Sequence, residues 1–99
     1  MADNTSGPSS EEIERADELA HAKVMLIFHV AKIRHFIEQG RNPARVGFEV
    51  GLAYRYYETI MVSDCMSDEK DTSDAMVREA YEWYGKYLDE IIPMRRLLK

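Results

Sequence analysis

Apolar residues return every three or four positions along three stretches of this chain and nowhere alternate with polar ones, a periodicity that builds helices and leaves no strand candidate. Strong punctuation separates the stretches. The first, Glu11 to Gln39, follows Ser9 and Ser10, either of which can cap a helix, and is closed by Gly40, suited to the left-handed turn behind one. Glu11, Glu12 and Glu14 stand in its first turn, where the helix dipole favours negative charge. Asn42-Pro43 then supplies a cap and a proline whose missing N–H costs nothing at the first helical position. A second helix is expected over 43–66, and a short, charged, apolar-free connection over 67–71. Thr72 or Ser73 is expected to cap a third helix over 73–92, which Pro93 ends or kinks, leaving a short segment 94–99. Residues 1–9 read as a disordered tail on a single domain spanning 10–99. The expected fold is all-α, a three-helix antiparallel bundle completed by homo-oligomerisation.

The oligomer is inferred from where the apolar faces point when each residue advances 100°. The third helix is one-sided, with Met76, Val77, Ala80, Trp83, Tyr84, Tyr87, Leu88, Ile91 and Ile92 together and Arg78, Glu79, Glu82, Lys86 and Asp89 opposite. The second carries one stripe of Val46, Val50, Ala53, Tyr57, Ile60 and Met61 and another, nearly opposite, of Phe48, Leu52 and Tyr56. On the first helix Ala16, Leu19, Leu26, Val30, Ile33 and Ile37 fall at seam positions, while Ala20, Val24, Ile27, Phe28 and Ala31 carry the apolar arc well past half the circumference. Under ninety foldable residues cannot easily hide so much helix surface, and another copy of the chain is the nearest source of cover. A homodimer is expected, its interface built from Leu26, Val30, Ile33 and Ile37 with Phe48, Leu52 and Tyr56. The alternative is that steeply crossed helices cover both stripes within one chain. Ala44, Gly47 and Gly51 form a small-residue ridge read as room for a close helix contact.

Charge is segregated. The net charge of -5 is divided as -5 over residues 1–22, +4 over 23–55, -7 over 56–92 and +3 over 93–99. Overall acidity argues against direct nucleic-acid binding, which needs a concentrated basic surface. No apolar run approaches membrane-spanning length, so no membrane partner is expected. The lone Cys65 can form no intramolecular disulfide and fits a reducing, cytoplasmic setting.

Candidate chemistry is sparse. His21, His29 and His35 point in different directions from one helix, and Glu18-x-x-His21 lacks the second pair that a carboxylate-bridged metal centre requires. No metal or other cofactor is expected. Glu11/Glu14, Glu14/Asp17 and Glu79/Glu82 are similar in spacing to the magnesium-binding carboxylates of all-helical nucleotide pyrophosphohydrolases, yet a helix N-terminus and an i,i+4 pairing of Glu82 with Lys86 account for them as solvated faces. Tyr54, Tyr81, Trp83 and Tyr84 combine apolar bodies with polar tips and are the expected surface for a second, unidentified protein partner. The chain therefore reads as a non-enzymatic interaction module, an adaptor, chaperone or regulator. The competing readings are a small helical metal-dependent nucleotide hydrolase or RNA-acting domain using Glu11, Glu14, Arg15, Glu18, His21, Glu79 or Glu82, and an acidic inhibitor that mimics nucleic acid.

Overall fold

The computed structural model describes the backbone of residues 9–97 and the side chains of residues 9–91, and the tail expected over 1–8 lies outside them. The described residues form three helices and no strand: α1 (Ser10–Glu38), α2 (Pro43–Met61) and α3 (Ser67–Leu97). Both ends of α1 and the start of α2 use the residues that mark them in the sequence. Ser9 Oγ accepts from the backbone N–H of Glu12 at 3.1 Å. Gly40, at φ +68°, closes α1: its N–H donates to Ile37 O while that of Arg41 donates to Phe36 O, both at 3.0 Å, the paired bonds of a Schellman turn. Asn42 Oδ1 accepts from Ala44 N at 2.8 Å ahead of Pro43.

The second connection differs from expectation. α2 stops at Met61, five residues early, because Ser63 turns its side chain onto the helix end: Ser63 Oγ donates to Ile60 O at 2.6 Å, and Cys65 N donates back to Ser63 Oγ at 3.3 Å. α3 begins at Ser67, inside the stretch expected to be a connection. Glu69 and Lys70 donate their N–H groups to Met66 O, and the Glu69 carboxylate accepts from Met66 N at 3.3 Å, one half of a capping box. Thr72 and Ser73, expected as caps, are mid-helix residues whose hydroxyls donate to the carbonyls of Asp68 and Glu69 four residues back. α3 also continues past Pro93 to Leu97. Proline there removes the donor that would meet the carbonyl of Asp89, an exposed residue where water can take its place.

The helices run up, down and up. His29 meets Glu49 and Phe36 meets Arg45 between α1 and α2, while Tyr57 meets Asp74 and Tyr54 meets Tyr81 between α2 and α3. The core gathers Ala22, Leu26, Val30 and Ile33 from α1, Val46, Val50, Ala53 and Ile60 from α2, and Val77, Ala80 and Tyr87 from α3. Tyr87 also donates its hydroxyl to Arg41 O, fastening the first connection to α3. Lys23 and Glu69 pair at 2.5 Å across α1 and α3, and this bond from the ammonium holds the Glu69 carboxyl below the usual range.

Of the two glycines in the small-residue ridge, Gly47 is in close contact. A Cβ there would lie 2.7 Å from the Tyr84 hydroxyl of α3, whereas one at Gly51 would meet nothing within 4 Å. Gly51→Ala is expected to stabilise the fold by about 1 kcal/mol through helix propensity. Gly47→Ala should forfeit that gain by displacing Tyr84. Thermal melts of the two variants check the contrast.

Candidate functional site

α1 carries two apolar seams. Leu19, Ala22, Leu26, Val30, Ile33 and Ile37 recur at three- and four-residue steps and face α2 and α3, where Leu26, Val30 and Ile33 are fully part of the core. Ile13, Ala20, Val24, Ile27 and Ala31 recur at heptad spacing roughly 130° around the helix at 100° per residue, and all are exposed. Val24 is 64% and Ile27 58% accessible, with Phe28 open beside them. Of the seven residues expected at an oligomer interface, Leu26, Val30 and Ile33 are therefore committed to the chain's own interior, and Ile37 packs against it half-buried. The physical reason is that α2 and α3 cover one of two apolar seams, the one richer in large aliphatic residues, which leaves the other in water.

The second stripe of α2 is divided. Tyr56 is half-buried, its ring stacked on His29 with centroids 5.6 Å apart and edge-on to His21 at 5.8 Å. Leu52 is half-buried too, and Phe48 remains 58% exposed. Cations thread the rings on this side of the bundle: Lys32 lies over Phe28 and Phe36, and Arg45 over Phe36 and Phe48, each within 6 Å of the ring centre. α1 thus passes from a mainly acidic, exposed N-terminal part (Glu11, Glu12, Glu14, Asp17 and Glu18, with Arg15) to a mainly basic C-terminal part (Lys32, Arg34 and His35, with Glu38) extended by Arg41 and Arg45.

Below that surface lies a polar cluster that the sequence reading does not anticipate. Glu49 of α2 is 1% exposed in the middle of the core stripe formed by Val46, Val50 and Ala53. His29 Nδ1, also buried, donates to its Oε1 at 2.6 Å, and Lys32 Nζ stands 3.4 Å from Oε2. Tyr56 stacks on the imidazole and Phe28 lies edge-on to it, so the pair is roofed by aromatic carbon. Grooves beside it, one lined by Glu18, His21, Ala22, Tyr56 and Thr59 and another by Leu52, Arg55, Tyr56 and Thr59, share Tyr56 as a wall and include neither His29 nor Glu49. The arrangement resists slippage of α1 along α2, since any shift would leave a charge in the core without its partner.

The four residues expected to present one aromatic surface do not share one. Tyr54 and Tyr81 meet edge to face at 6.2 Å and are exposed on the α2–α3 side, beside Tyr57. Tyr57 donates to Asp74 Oδ1 at 2.8 Å, and the loss of that bond on ionisation pushes its phenol above the ordinary range. Tyr84 is half-buried against Gly47, and Trp83, half-buried on the α1–α3 side, lies 5.7 Å beneath the guanidinium of Arg34.

The residues of the hydrolase reading are dispersed. Arg15 and Glu18 line a groove of about 470 Å³ with Leu19, Thr59, Ser63, Asp64 and Cys65, while Glu79 lies at the other end of the bundle, in a groove with Arg34, Trp83 and Lys86. Glu11, Glu14 and His21 are exposed on α1, as is Glu82 on α3. Among the described residues no three His, Cys, Asp or Glu side chains are grouped to hold a metal ion, and no helix is long and apolar enough to cross a membrane. Comparison of the chain with protein-family models, with curated proteins and with solved structures finds no match.

Proposed function

We propose that this chain is a non-enzymatic interaction module that works as a helical homo-oligomer, and that the outward seam of α1 is where copies meet. One observation carries the reading: a second run of heptad-spaced apolar residues, Ile13, Ala20, Val24, Ile27 and Ala31, stays in water after the three helices have packed. A seam of this spacing matches a facing helix, and leaving Val24 and Ile27 solvated sacrifices apolar burial worth about 25 cal/mol for each Å². The exposed Tyr54–Tyr81 pair, on the α2–α3 side, leaves a separate surface for a different protein once copies have associated.

Light scattering on the full chain and on Ile27→Glu tests this. The unmodified protein should run at twice its chain mass of 11.5 kDa and the variant at 11.5 kDa, with the same helical circular dichroism. A monomeric unmodified protein, or a dimer that Ile27→Glu leaves intact, would remove the seam from the interface.

A further inference from the structure

The charge pattern along the exposed seam sets the orientation in which a second copy fits. Glu11, Glu12, Glu14, Asp17 and Glu18, offset only by Arg15, occupy the N-terminal part of α1, and all are exposed. Lys32, Arg34 and His35, offset by Glu38, occupy the C-terminal part, with Arg41 and Arg45 just beyond it. Two α1 helices side by side in parallel would set acid on acid and base on base. Turned antiparallel about a two-fold axis, each acidic end lies along the basic end of its neighbour, and the favourable pairing occurs twice.

Register follows from keeping apolar residues opposite one another. In an antiparallel helix pair each seam residue faces the alternate seam position of the other chain. We infer that two copies of this chain pack through α1 antiparallel, with Val24 of each level with Ile27 of the other and Ala20 level with Ala31. Asp17 then stands level with Arg34 of the second copy, opposite charges at the first polar layer on either side of the apolar centre. Within its own chain, Arg34 has only the exposed Glu38 at 3.7 Å and the Trp83 ring as partners among the described residues. Ile13 reaches the margin of the contact, level with Glu38 of the second copy. A slide of one heptad in either direction sets Asp17 against Ile27 or Val24 against Arg34, which buries a charge against an aliphatic group. The alanines at 20 and 31 let the two backbones approach closely, in keeping with the 8–10 Å spacing of packed helices. On its α3 flank the seam meets one acidic residue, Glu69, which shares a groove with Ile27 and is already paired with Lys23 at 2.5 Å.

This orientation rests on the self-association proposed above, and disulfide trapping separates the two. In a full chain carrying Cys65→Ser, cysteines are placed at Ala20, at Ala31, or at both, all on the exposed side of α1, where folding is unaffected. Eleven residues separate the two positions, about 16 Å along a helix, so they cannot bond within one chain. In the antiparallel register the same 16 Å separates each position from its own counterpart, while Ala20 and Ala31 of different copies are neighbours. Under a mild oxidant the double variant should become covalent dimer and the two single variants should not. Ready self-cross-linking of Ala20→Cys alone would show parallel packing and overturn the orientation while leaving association standing. A dimer by light scattering with no cross-link in any variant would move the interface off this seam. A monomer by light scattering would remove both proposals together.

Discussion

Replacing Glu49 by alanine is expected to destabilise the fold by about 3–5 kcal/mol, the cost of breaking a buried ion pair from one side. The loss is large because Glu49, 1% exposed, accepts from His29 and faces Lys32 in the core between α1 and α2. Its removal strands the buried His29 under Tyr56 and Phe28, leaves the partly exposed Lys32 without its carboxylate, and opens a void beside Val46 and Val50. In a domain whose whole stability is about 5–15 kcal/mol, such a change leaves little margin. The double variant Glu49→Leu with His29→Leu should be much milder and near neutral, since two apolar side chains of similar volume bury no unpaired charge. Urea denaturation at one fixed protein concentration measures both. A single Glu49→Ala within about 1 kcal/mol of the parent would mean that the pair is solvated in solution, contrary to its burial here.

Two isoleucines on α1 give the second contrast. Ile33 is completely buried and Ile27 is 58% exposed, six residues away on the other side of the same helix. Ile33→Ala is expected to cost about 2–5 kcal/mol of folding stability through lost burial and the cavity left behind. Ile27→Ala should change the stability of an isolated chain by no more than about 0.5 kcal/mol, as at an ordinary surface site. Its effect should instead grow with protein concentration, because the contact it removes lies between copies. Thermal melts over a range of concentrations resolve the two behaviours, and equal losses at high dilution would place both seams in the interior.

These two positions also mark how far the sequence is legible. Ser9, Gly40, Asn42 and Pro43 announce the first two helices because each acts on backbone groups a few residues away, and local chemistry can be read locally. The second connection is obscured because Ser63 ends α2 within residues that continue its apolar periodicity, and because Glu69 caps α3 by reaching back to Met66. One seam of α1 and the apolar arc beside it are visible in the sequence. How much of that surface faces inward depends on the shapes of α2 and α3. Glu49 does leave a trace: a carboxylate three residues after Val46 and four before Ala53 stands at the centre of an apolar stripe. Its meaning depends on His29, twenty residues earlier on a different helix, and directions judged along α1 alone cannot bring the two together. Tyr56, too, looks surplus on the wheel of α2 and finds its place only as the ring that covers His29.

Sedimentation equilibrium of the unmodified chain, over concentrations from dilute to tens of micromolar, bears most directly on whether the outward seam of α1 is covered by a second copy. A reversible dimer of twice 11.5 kDa, dissociating on dilution, is the expected result. A single species of 11.5 kDa at every concentration would contradict it and leave Val24 and Ile27 as ordinary surface residues.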